Sequence, residues 1–107
     1  MDLARVDLNL LVVLHALLET GSVTRAAERL GSSQPAISRA LAKLRRLFGD
    51  RLMVKAASGM MPTLRAEAMR EPLANLLGGV ETFLLKPKFD PAVTDRIFRI
   101  ATTDYGG

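Results

Sequence analysis

The sequence contains no cysteine and a single histidine, His15. The first absence excludes a disulfide framework, a thiolate zinc or iron–sulfur site and a cysteine nucleophile, and an intracellular setting fits it best. The second leaves His15 without a partner for metal binding, so it reads as a partly exposed packing residue on a helix. Long apolar runs are also missing. Leu10–Leu14 is too short to span a bilayer and Leu73–Leu85 is interrupted by polar residues. The opening residues carry Asp2, Arg5 and Asp7, not the cationic start and clean apolar stretch of a secretory signal. A soluble, cytoplasmic protein with no membrane partner is therefore expected.

Catalytic signatures are equally scarce. Ser33 or Ser38 with His15 lacks the G-x-S-x-G elbow that would position a nucleophile, and Gly78-Gly79 lacks the spacing of a phosphate loop. Glu67 and Glu71 form an ordinary, mildly repulsive pair one helical turn apart, with Arg70 close enough to relieve it. No catalytic residue, metal or cofactor is expected, and there is no internal repeat or low-complexity tract.

What remains is a chain of 107 residues, 49% hydrophobic and 24% charged, which is the composition of one small globular unit. Its core is thin enough for a second subunit to help stabilise it. The net charge of +4 is unevenly placed. Residues 1–20 set Arg5 against Asp2, Asp7 and Glu19, and the stretch after residue 55 is balanced. The block 21–55 holds Arg25, Arg29, Arg39, Lys43, Arg45, Arg46, Arg51 and Lys55 against only Glu28 and Asp50. A polyanion such as nucleic acid leads the partner classes, although a solvated face is the commoner meaning of such a block.

Hydrophobic spacing organises the chain into helices. Leu10, Leu11, Leu14, Leu17 and Leu18 mark one stripe of a helix from Asp7 to Thr20, with Asp7 as its cap and Gly21 as its stop. Val23, Ala26, Ala27 and Leu30 follow the i, i+3, i+4, i+7 pattern of a second helix capped by Ser22 and ended by Gly31. Ser33 caps a third, with Pro35 in its first turn and Ile37, Leu41, Leu44 and Phe48 as its buried stripe up to Gly49. Two short helices joined by Gly31-Ser32-Ser33 form a helix-turn-helix, with Ala26, Ala27 and Gly31 small enough for a close crossing. A bulky residue at Ala27 should prevent that crossing.

Arg51–Lys55 and Met60–Thr63 read as a two-stranded hairpin around Ala56-Ala57-Ser58-Gly59, too short to stand without packing on the helices. Thr63 caps a long helix from Leu64 to about Leu85, with a kink expected near Ala68–Pro72 and two separate helices as the alternative. Along it Leu73, Leu76, Leu77, Val80, Phe83 and Leu84 form an apolar face with no obvious cover in the chain, which favours association. Lys86–Pro91 reads as a linker, and Arg96–Thr102 as a strand lacking a partner, the beginning of a further unit.

On the third helix Gln34 and Ser38 lie four residues apart, beside Pro35 and Arg39 and opposite the Ile37–Leu41–Leu44 stripe. An amide, a hydroxyl and a guanidinium at a helix start match base edges: Arg suits guanine, Gln suits adenine and Ser serves either. The free amides of the helix start favour a phosphate nearby. An ordinary capped surface helix is the plainer reading of the same spacing.

The run Gly21-Ser22-Val23-Thr24-Arg25-Ala26-Ala27-Glu28-Arg29-Leu30, then Ser33-Gln34-Pro35-Ala36-Ile37-Ser38-Arg39 and Phe48-Gly49-Asp50-Arg51-Leu52, resembles the amino-terminal domain of LysR-type transcriptional regulators. Asp7-Leu8-Asn9-Leu10-Leu11 and Phe89-Asp90-Pro91 are similar to the subgroup of nodulation and aromatic-degradation regulators. The resemblance implies a mainly α chain: a winged helix-turn-helix over residues 1–63, a linker (dimerisation) helix over 64–86, and a linker with the first strand of a truncated α/β effector domain over 87–107.

By the same resemblance Gln34, Pro35, Ser38 and Arg39 match positions that contact DNA, and Ser22, Thr24 and Ser33 match helix starts near phosphate. From the basic block, Arg25, Arg29, Lys43, Arg45, Arg46 and Lys55 are candidates for phosphate attraction. The expected partners are double-stranded DNA, a second copy in a homodimer or higher oligomer, and a small-molecule inducer only where an effector domain is complete. The wing departs from the family, which carries arginines there: Lys55-Ala56-Ala57-Ser58-Gly59 retains one charge. That weak wing motivates a competing expectation, a truncated interaction module that dimerises through the linker helix and modulates full-length regulators.

Overall fold

The computed structural model describes residues 1–85. The expectations for Lys86–Pro91 and Arg96–Thr102 lie outside the described residues. A single 3-10 turn, Leu3–Arg5, precedes helices α1 (Asn9–Thr20), α2 (Val23–Leu30) and α3 (Gln34–Phe48), strands β1 (Met53–Ala56) and β2 (Gly59–Pro62), and helix α4 (Leu64–Leu84). The 3-10 turn was not signalled by hydrophobic spacing; Asp2 holds it by accepting from the Ala4 N–H at 3.1 Å.

The caps explain where the helices begin. Asp7 accepts from the Asn9 N–H at 3.0 Å, so the carboxylate acts at the start of α1 although the helix begins at Asn9, later than expected. Ser22 accepts from the Arg25 N–H at 3.1 Å and Ser33 from the Ala36 N–H at 3.2 Å, each satisfying an amide that the helix leaves free. Thr63 does the same for the Ala66 N–H at 3.2 Å. Between α2 and α3 the chain turns through Gly31 at φ +63°, and the Ser32 N–H returns to the Ala27 carbonyl at 2.8 Å. An added Cβ at Gly31 meets nothing within 4 Å. The glycine is therefore there for its left-handed backbone, and the close crossing that the sequence assigned to it belongs to Ala26 and Ala27, both buried.

α1 contacts α2, α3 and α4, and the core forms around it. Leu10, Leu14, Leu17 and Leu18 from α1 meet Ala26 and Ala27 from α2, Ile37, Leu41 and Leu44 from α3, Leu52 and Met53 at the wing, and Ala66 and Leu73 from α4. α4 is held to α1 by the Arg70 guanidinium, which donates to the Leu18 carbonyl at 3.0 Å while Glu67 receives its Nε and Nη2 at 3.0 Å. Pro72 sits inside α4 without ending it, so the two-helix alternative is not what forms. Packing of Met69 and Leu73 on the core anchors the helix on both sides of the missing N–H.

β1 and β2 pair antiparallel with Met53 opposite Pro62 and Ala56 opposite Gly59, leaving Ala57 and Ser58 at the tip. The wing is docked as expected, and the dock is a backbone contact: the Met60 N–H donates to the Gly21 carbonyl at 3.0 Å. A Cβ on Gly59 would stand 2.8 Å from that same Gly21 oxygen.

At the root of the wing, Asp50 receives the Leu52 N–H at 2.7 Å and the Thr63 hydroxyl at 2.7 Å. Leu52 is buried at φ +64°, a left-handed backbone that side chains rarely adopt, and the Asp50 bond to its N–H helps hold it there. The Thr63 hydroxyl, the Leu52 N–H and the charge of Arg65 together keep the Asp50 carboxyl below its ordinary range.

Gly31→Ala should cost about 1–2 kcal/mol in chemical denaturation, from the backbone alone. Gly59→Ala should cost more, because its Cβ also meets the Gly21 carbonyl; equal losses would deny the docking of the wing. A carboxyl with a lowered folded pKa contributes stability that is complete above its unfolded pKa and is lost as the pH falls through the folded one. Asp50→Asn should therefore destabilise the protein at neutral pH, with the difference from wild type shrinking on acidification below pH about 4. A difference that is constant with pH would refute the clamp.

Candidate nucleic-acid interface

The start of α3 carries the outward groups. Ile37, Leu41 and Leu44 are buried beneath it, while Gln34, Pro35, Ser38 and Arg39 are exposed, the arrangement that the helical period required. Gln34 does not stand alone: its Nε2 donates to the Thr24 hydroxyl of α2 at 2.7 Å. Sequence spacing placed these residues in separate roles and gave no sign of the bond, which depends on how α2 crosses α3.

The phosphate candidates divide. Ser22 and Ser33 spend their oxygens on helix amides and keep their hydroxyl protons for an acceptor. Thr24, Arg25, Lys43, Arg46 and Lys55 are exposed. None of Arg25, Arg39, Lys43, Arg46 and Lys55 is in an ion pair among the described residues. A groove between the start of α2 and the wing brings Ser22, Arg25 and Lys55 together with Ser58, a turn residue that charge counting passed over.

Two cations depart from the expectation. Arg45 is half-buried and turned toward the wing root, its Nε donating to the Arg51 carbonyl and its Nη2 to the Met53 carbonyl, both at 2.8 Å. It lies in the last turn of α3, beside the start of the wing, and it serves the fold there. Arg29 pairs with Glu19 at 2.9 Å across the α1–α2 crossing. His15 is likewise partly buried, its Nε2 3.7 Å from Glu19, and no cluster of metal-ligating side chains occurs among the described residues.

The apolar face of α4 also divides. Leu73 is buried and Leu77 half-buried against the core, so α1 covers part of what the sequence left open. Leu76, Val80, Phe83 and Leu84 remain exposed, Phe83 at 78%. No helix among the described residues is long and apolar enough to cross a membrane.

Residues 8–67 match the family model described as the bacterial regulatory helix-turn-helix protein, lysR family. The chain belongs to the LysR family. It is 43% identical over 107 residues to the transcriptional activator NagR of a Ralstonia species, covering 99% of this chain and 36% of that protein. It is 42% identical over 100 residues to nodulation protein D 2 of Bradyrhizobium elkanii, covering 92% of this chain and 30% of the relative. The chain thus spans about a third of the length of these curated relatives. Among solved structures, the DNA-binding domain of BenM in complex with benA site 1 DNA matches with a TM-score of 0.69 at 25% identity, covering 86% of this chain and 96% of that one. The fold is the winged helix-turn-helix followed by a long helix that the LysR resemblance implied.

Proposed function

We propose that the chain binds double-stranded DNA sequence-specifically in transcription regulation, as a homodimer in the cytoplasm, with α3 in the major groove. The carrying observation is the outward row of Gln34, Ser38 and Arg39 at the start of α3, fixed from behind by a buried stripe. In this reading those three face base edges and Pro35 faces a thymine methyl or sugar. Ser22, Thr24 and Ser33 lie toward phosphates, with Arg25, Lys43, Arg46 and Lys55 supplying charge. The likeness to a DNA-binding domain captured on its DNA supports the placement of α3.

Residues 1–63 are the DNA-binding unit and 64–86 the dimerisation helix, with 87–107 leading into an effector domain that would hold any inducer. The exposed Leu76, Val80, Phe83 and Leu84 supply the apolar surface for a second copy. Two copies on a twofold axis read an inverted repeat, the symmetry of the site mirroring that of the protein.

Arg39→Ala should cost about 1–3 kcal/mol on a selected duplex and relax preference at one base pair, whereas Lys43→Ala should weaken all sequences alike. Titrations against matched and scrambled duplexes measure both, and equal losses on the two duplexes for Arg39→Ala would reject direct readout. Binding should fall with salt by a log-log slope of about −0.9 per neutralised phosphate, and a flat dependence would remove the electrostatic part.

A further inference from the structure

Thr24 lies in the first turn of α2 and Gln34 opens α3, so the 2.7 Å bond between Gln34 Nε2 and Thr24 Oγ1 ties the two helices of the motif together at their exposed edge. A threonine hydroxyl has one proton to give and lone pairs to accept with. Here the oxygen accepts from Gln34. The proton remains for an acceptor on the same edge, where the Ser22 cap, the free amides of α2 and Arg25 gather attraction for an anion. Once that proton is given to a phosphate oxygen, Thr24 has only lone pairs left for Gln34. The glutamine must then present an N–H to it and cannot turn its amide over.

We propose that Thr24 is the positioning residue that fixes the reading direction of Gln34. The inference rests on α3 lying in the major groove as proposed above. With one amide proton on Thr24, Gln34 keeps its other proton and Oε1 as an adjacent donor and acceptor. That pair complements adenine, whose N6 amino group donates to Oε1 and whose N7 accepts from the remaining N–H. A glutamine free to flip offers the pair in either order and tolerates other bases. Specificity at one base pair is thus set jointly by α2 and α3, and through Thr24 it is coupled to a backbone contact.

The test is selection of bound duplexes from a random pool by the 107-residue chain, as wild type and as Gln34→Ala, Thr24→Val and Thr24→Ser. Wild type should prefer adenine at one position by roughly tenfold or more, and Gln34→Ala should abolish that preference. Thr24→Val, which keeps the shape and loses the hydroxyl, should flatten the same position to about twofold while the position read by Arg39 stays sharp. Thr24→Ser should restore it. If Gln34→Ala alters the position and Thr24→Val leaves it sharp, or blunts every position alike, Thr24 is a phosphate contact only and the inference fails while the function stands. If Gln34→Ala alters no position, readout by Gln34 fails and the inference goes with it.

Discussion

Burial of one side of α3 governs what its other side presents. Ile37, Leu41 and Leu44 are 2%, 4% and 0% exposed, so the rotation of the helix about its axis is fixed against α1 and α2. A rotation of one residue, about 100°, would carry Ser38 toward the core and leave a leucine facing water. The outward row is therefore a consequence of packing, and side chains far from any ligand decide its direction. Ala26 and Ala27 contribute by being small: they let α2 approach closely enough for Thr24 to reach Gln34.

The wing depends on a second kind of constraint, made from backbone groups and two charged side chains. Its second strand is fastened by the Met60 N–H on the Gly21 carbonyl, its root by Asp50 and by Arg45. Three groups sharing so short a loop compensate for a hairpin that is too small to hold itself. That accounts for the inward turn of Arg45, whose planar fork suits two carbonyls at once.

Much of this was legible in the sequence because it follows from period and punctuation. The serine and threonine caps, the left-handed glycines at helix ends and the buried stripes of α2 and α3 each depend on residues within a turn of one another. The contacts that escaped it are long-range. Arg45 and Arg29 read alike as cations of the basic block, and Arg70 was placed beside Glu67, which it does bond; only the crossing of elements sends the first to wing carbonyls, the second to Glu19 and the third also to the Leu18 carbonyl. The Gln34–Thr24 bond escaped for the same reason, and the cover that α1 gives Leu73 and Leu77 could not be inferred from the helix that carries them.

Thr63 is at once the cap of α4 and a ligand of Asp50, and its backbone N–H donates to the Leu52 carbonyl at 2.8 Å. The long helix consequently has no slack hinge where it leaves the wing, and Arg70 on Leu18 removes a second degree of freedom about two turns later. A tilt of α4 at its start is therefore shared with the wing root and with α1 together, because the cap, the Asp50 clamp and the Arg70 bond tie the first turns of the helix to both.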